Sequence, residues 1–228
     1  FSAPAKFNDP FDCALNVHKS PLDEADFAQI HAHELAGPRA DEVRRICGSQ
    51  GHRSARYQTG MAAVLQTVFA DQRDDHLHRR GVACFAESFD NLLMWANYSA
   101  SHTGFCMEFD ATTQPFANAS QVIYTDKVPV VDPIPFFDSV NSPPKVYTVA
   151  ALLTKSTEWA YEREWRLVHD RADDLVKYDP HSLVGLYVGC AATTANLEMI
   201  RVFATVRGIH CFRMERSLTR FAVDAAAT

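Results

Sequence analysis

From residue 21 to residue 80 the apolar positions recur at helical spacing. Phe27, Ile30 and Leu35 share one face of a segment that starts at Pro21 and stops at Gly37. Pro38 opens a shorter segment through Val43 and Ile46 to Gly48. A third runs from about Ser54 to Arg79 and carries Met61, Val64, Leu65, Val68 and Phe69. Its charged end, DQRDDHLHRR, suits a solvated face.

At Gly81 the pattern shortens. Val82 to Ala86 is a short apolar run that suits a buried strand. A helix follows from Asn91 to Ser99, with Ser88 or Asp90 as its cap. Gly104 to Asp110 alternates, so Phe105, Met107 and Phe109 share a strand face. Residues 111–145 are proline-rich and read as a long loop around a strand at Val122–Tyr124. A helix is expected over 146–156, strands over 159–168 and from Val184 to Val188, and a helix from Thr193 or Thr194 to Gly208. Strands from Ile209 to Met214 and from Arg220 to Val223 complete the series. The fold class is α+β: a helical part at about 21–80 and a mixed or mostly antiparallel sheet with helices at about 81–228, in a single domain.

Composition narrows the function classes. With 47% hydrophobic residues among 228, the chain can bury a sizeable core. A net charge of −6 argues against general nucleic-acid binding, which needs a basic face. The six cysteines form no C-x-x-C pair, and Cys84, Cys106 and Cys211 sit in apolar runs, which fits reduced thiols and a cytoplasmic location. No run of about 18 apolar residues predicts a membrane span. His31-x-His33 and His76-x-His78 lie two apart on predicted helices and point away from each other, so no metal site is expected. Walker, G-x-G-x-x-G and G-x-S-x-G motifs are absent.

Residues 159–168, WAYEREWRLV, carry the strongest chemical signal. As a strand, one face holds Trp159, Tyr161, Arg163, Trp165 and Leu167. The other holds Glu162, Glu164 and Arg166 in a row. Two carboxylates two residues apart on a strand lie about 7 Å from each other. They raise each other's pKa unless a cation compensates, and Arg166 is placed to do so. Such a row suits the lining of a polar cleft; an edge strand with a solvated Glu–Arg pair is the plainer alternative.

Three motifs, FNDPFD (Phe7–Asp12), FAESFDNLLMWANYSASHTGFCMEFD (Phe85–Asp110) and K-x-x-x-W-x-Y-E-x-E-W-R (Lys155–Arg166), resemble the bacterial domain-of-unknown-function family 2971 over nearly the whole chain. Family members usually have a strand carrying Tyr, Lys or Arg before FNDPFD, so the resemblance implies such a strand upstream of Phe1. Gly81, Phe85, Ala86, Ser88 and Tyr98 are also similar to the nicotinamide-pocket strand and helix of ADP-ribosyltransferases. Glu162-x-Glu164 looks like their late Glu-x-Glu strand.

That second resemblance implies an enzyme using NAD as substrate and acting on an unknown acceptor, with bacterial toxin or defence roles common in such families. Glu164 then stabilises charge on the ribose, and Glu162 positions or deprotonates the acceptor. Phe85 and Tyr98 wall the nicotinamide, and the proline-rich loop touches the acceptor. Ser88, His102 and Arg166 are further substrate-binding candidates. Asn8 and Asp9, with Asp12, either line the site or cap a turn, and Lys155 is a candidate anion binder. Two other readings stand beside this one: a non-catalytic module binding a nucleotide or peptide, and a hydrolase using the glutamate pair with water.

Overall fold

The computed structural model describes residues 1–17, 22–131 and 150–228. Five helices are described: α1 (Glu24–Ala36), α2 (Ala40–Cys47), α3 (Ala55–Arg79), α4 (Leu92–Tyr98) and α5 (Thr194–Arg207). The strands are β1 (Asn16–Val17), β2 (Gly81–Ala86), β3 (Phe105–Phe109), β4 (Ser120–Gln121), β5 (Ile123–Thr125), β6 (Val130–Val131), β7 (Thr154–Ser156), β8 (Glu164–His169), β9 (Leu183–Val188), β10 (His210–Arg216) and β11 (Val223–Ala227).

The helices begin where their caps dictate. Asp23 accepts from the Asp26 backbone N–H while the Asp26 carboxylate accepts from that of Asp23, a reciprocal capping box at α1. Ser54 caps α3 and Thr193 caps α5. Asn91, rather than Ser88 or Asp90, caps α4, its side chain accepting from the N–H groups of Leu93 and Met94. Phe27, Ile30, Val43, Met61 and Leu65 pack α1–α3 together, as their spacing predicts, and Tyr57 joins them.

Two sheets organise the rest. One has the order β11-β10-β9-β3. Its β9–β10 pair is parallel and connected through α5; its other pairs are antiparallel. Leu186, Val188, Ile200 and Ala204 fill the space between this sheet and α5. Phe105 and Met107 share a face as expected, but β3 is an edge strand and both stay about half exposed. The second sheet has the order β2-β8-β4, all antiparallel. Ser2 bridges Val82 on β2.

Two expectations change at residues 150–168. The predicted helix over 146–156 gives way at its described end: residues 150–152 are helical, but Thr154–Ser156 is strand β7, paired in parallel with β5. The strand predicted over 159–168 is a 3-10 helix at Thr157–Glu162 and a strand only from Glu164. Arg163 joins them in the left-handed conformation (φ 46°). Ser156 caps the 3-10 turn through the Glu158 N–H. This local cap outweighs the alternating pattern that favoured a strand. The last strand also lies later than expected, at Val223–Ala227.

Candidate functional site

On β8, Glu164 and Arg166 point to the same side of the sheet, as alternation requires. Their cross-strand partners on β2 are Ala86 and Cys84. Arg166 has no exposed surface, and Glu164 and Glu162 are each 4% exposed. The Arg166 guanidinium donates to both Glu164 oxygens at 2.7 and 2.9 Å and to both Asp12 oxygens at 2.9 and 2.7 Å. It also donates to the Leu152 carbonyl at 2.9 Å and to Cys13 Sγ at 3.4 Å. Lys155, from β7, lies 2.5 Å from Glu162, 3.2 Å from Glu164 and 3.4 Å from Asp12. Tyr98, at the end of α4, donates to Glu162 Oε1 at 2.7 Å. The Glu164 backbone N–H donates to the Tyr124 hydroxyl at 2.8 Å.

All three motifs therefore meet in one buried cluster. FNDPFD supplies Asp12, the second motif supplies Tyr98, and the third supplies Lys155, Glu162, Glu164 and Arg166. Burying five ionisable groups carries a large desolvation cost, recovered only when every charge is paired and hydrogen-bonded. The geometry meets that condition.

The electrostatics follow from the pairing. Burial pushes the Glu164 carboxyl up, but hydrogen bonding to Arg166 and its charge outweigh this and hold it below the usual carboxylate range. Burial opposes the charge on Lys155 and Arg166, yet the surrounding carboxylates raise both. Burial and then Asp12 push the Cys13 thiol up to about 12. Burial first and then the charge of Glu164 push the Cys84 thiol up too. Formally the cluster holds three carboxylates against two cations, one negative charge in surplus.

The structure separates the candidates. Glu162, Glu164, Arg166 and Tyr98 come together. The Asn8 side chain lies near the Tyr98 phenol. Asp9 instead accepts from the Phe11 N–H at 2.9 Å, the turn-capping role. Phe85 is not beside Tyr98 and Glu164: it pairs with Trp165 on the opposite face of β2 and packs on Phe109 and Phe116. Alternation along β2 is the reason, since Cys84 and Ala86 occupy the glutamate face. The Ser88 hydroxyl bonds to Asp90. His102 sits in a left-handed turn between α4 and β3, stacked on Trp95, with its carbonyl accepting from the Ala191 N–H. Glu164, expected at a reacting ribose, is locked between Arg166 and Lys155. The expected cleft shared by Phe85, Ser88, Tyr98 and the glutamates is thus not assembled as such. Much of the proline-rich loop, residues 132–149, lies outside the described residues.

Asp12 and Lys155 matter more than their first readings as turn cap and anion binder suggested. Their signal was their place inside the first and third motifs. Among the described residues no group of three or more His, Cys, Asp or Glu is placed to hold a metal ion, and no helix is long and apolar enough to cross a membrane.

No curated protein and no solved structure matches the chain. Residues 94–167, which contain Tyr98, Lys155, both glutamates and Arg166, match the model of the family described as Protein of unknown function (DUF2971), the family that the three motifs resemble.

Proposed function

We propose that the chain is an NAD-using enzyme of ADP-ribosyltransferase type acting on an acceptor of unspecified class, with Glu162 rather than Glu164 nearest the reacting bond. The observation that carries this reading is the hydrogen bond from half-exposed Tyr98 to Glu162. Through Tyr98, Glu162 is the carboxylate of the cluster linked to the surface. The pairing of β2 with β8 supports the reading as well, because it sets the nicotinamide-type strand beside the Glu-x-Glu segment.

The chemistry asks for negative charge. When the bond between nicotinamide and ribose breaks, the electron pair leaves with the nicotinamide and positive charge develops on the ribose. A surplus carboxylate fixed in a low-dielectric surround stabilises that charge more than the ground state. Asp12, Glu164, Lys155 and Arg166 then form the scaffold that holds Glu162 in place. Tyr98 and Asn8 form the rim that meets the nicotinamide end.

A second reading is a module that binds a nucleotide or peptide on the same rim without chemistry. The saturation of Lys155 and Arg166 favours it, because a fully paired cluster makes a rigid platform. The hydrolase reading needs a carboxylate free to take a proton from water, whereas Lys155 engages both glutamates.

The test is incubation of the full-length protein with NAD, following nicotinamide release and NAD affinity in wild type and Glu162→Gln. Release by wild type, lowered at least about 100-fold in a folded Glu162→Gln variant, supports the enzyme. Binding without release, largely unchanged in Glu162→Gln, supports the module. Neither binding nor release removes NAD from both readings.

A further inference from the structure

Helix α5 is apolar on two faces. Its inner residues Ile200 and Ala204 pack on Leu186 and Val188 of β9. On its outside, Ala195, Met199, Val202 and Val206 follow one another at intervals of four, three and four residues, with Phe203 beside them. A helix that packs only on its own sheet needs one apolar stripe, and its other side is ordinarily polar. Here Val206 is 82% exposed and Met199 65%, with Val202 and Phe203 about half exposed.

The spacing indicates what covers this stripe. Apolar residues alternating at three and four positions make the seam by which one helix meets another, each side chain seated among those of the facing helix. The outer face of α5 supplies both halves of such a seam. A two-fold axis at Val202, the middle of the stripe, lays the stripe of one copy on that of a second, so the same patch serves both sides.

Charge and area agree with that occupant. Glu198 and Arg201 pair with each other at 3.6 Å, and the Arg207 guanidinium lies 5.4 Å from the centroid of the Phe203 ring. The charges therefore stay at the edge, and an uncharged centre with a polar rim is the make-up of a protein interface. Phe105 and Met107 of β3 extend the surface, because their cross-strand partners Val188 and Leu186 face α5. These side chains together expose roughly 700 Å², more than the largest apolar patch of an ordinary monomer and close to the about 800 Å² that each partner gives to a standard interface.

We infer that α5 docks on α5 of a second copy of this chain, forming a two-fold dimer with Val202 at its axis. The dimer is independent of the Tyr98–Glu162 rim and of any reaction there.

The test is sedimentation equilibrium of the full chain at concentrations up to about 100 µM. Wild type is expected at twice its 25.5 kDa chain mass. Val206→Glu buries an unpaired carboxylate in the seam and weakens the dimer at least about tenfold, with far-UV circular dichroism intact because the position faces solvent in the single chain. Leu175→Glu, at an equally exposed apolar residue after β8, leaves the dimer unchanged. Val202→Cys, nearest the axis whether the two helices run parallel or antiparallel, gives a disulfide-linked dimer on mild oxidation that wild type does not. A wild type that stays at the chain mass overturns the proposal and leaves the stripe to a different protein. A dimer that Val206→Glu does not weaken, or that Val202→Cys does not link, overturns it by placing the contact elsewhere.

Discussion

The Tyr98 hydroxyl donates a 2.7 Å hydrogen bond to Glu162, joining two residues 64 positions apart. It ties the end of α4 to the 3-10 turn that precedes β8. Asn91, at the other end of α4, donates its side-chain amide to the Tyr161 carbonyl at 2.8 Å. The helix is therefore clamped at both ends along residues 161–162. Burial first and then Glu162 raise the Tyr98 phenol above its ordinary range, so it remains a donor at neutral pH.

Arg166 is the hub of the buried cluster. Arg166→Met removes the partner of both Asp12 and Glu164 while keeping much of the volume. An uncompensated buried charge costs about 3–5 kcal/mol, and a loss of that size is expected in urea denaturation. A loss within error of zero would show that the two carboxylates reach water.

Acid should weaken the fold through Glu164. Its folded pKa lies below the ordinary value of 4.5. A depressed carboxylate contributes stability that is present above its unfolded pKa and lost as pH falls through its folded value. Urea midpoints are expected to hold between pH 7 and about pH 5 and to drop below about pH 4.5. Glu164→Gln, where it folds, should flatten that drop; an unchanged acid limb would contradict the assignment. Lys155 works at the other end, because its folded pKa is raised above 10.5. Its contribution is complete below 10.5 and lost as pH climbs through the raised value.

Two glycines should respond in opposite directions to alanine. At Gly189 a Cβ would stand 2.1 Å from the His102 carbonyl oxygen and 3.1 Å from that of Gly104, and backbone cannot step aside cheaply. Gly189→Ala is expected to cost about 1–3 kcal/mol. At Gly60 the space is open and the backbone helical, so Gly60→Ala should add up to about 1 kcal/mol. Thermal unfolding of the two variants checks both signs.

Cys13 should resist modification in the native protein. It has no exposed surface, and its thiol is pushed up to about 12. A disulfide reagent at pH 8, read by peptide mass spectrometry, should label Cys13 only in denaturant. Early labelling of Cys13 would mean that the turn carrying it opens readily.

The sequence by itself determined most of the elements. Helical spacing in Phe27, Ile30 and Leu35, caps at Ser54 and Thr193, and the stop at Gly208 are local signals, and the chain folds locally as they direct. It also marked Glu162, Glu164 and Arg166 as neighbours, because proximity along the chain guarantees proximity in space. The tertiary structure decided the rest. Whether Glu164 faces a cleft or a lysine depends on β7, which arrives through its pairing with β5. Whether Phe85 joins Tyr98 depends on which face of β2 meets α4, and register sets that across β8. Asp12 reaches Arg166 across 154 residues. No period or motif spacing encodes such a contact, because it exists only once sheet, turn and helix have closed on one another.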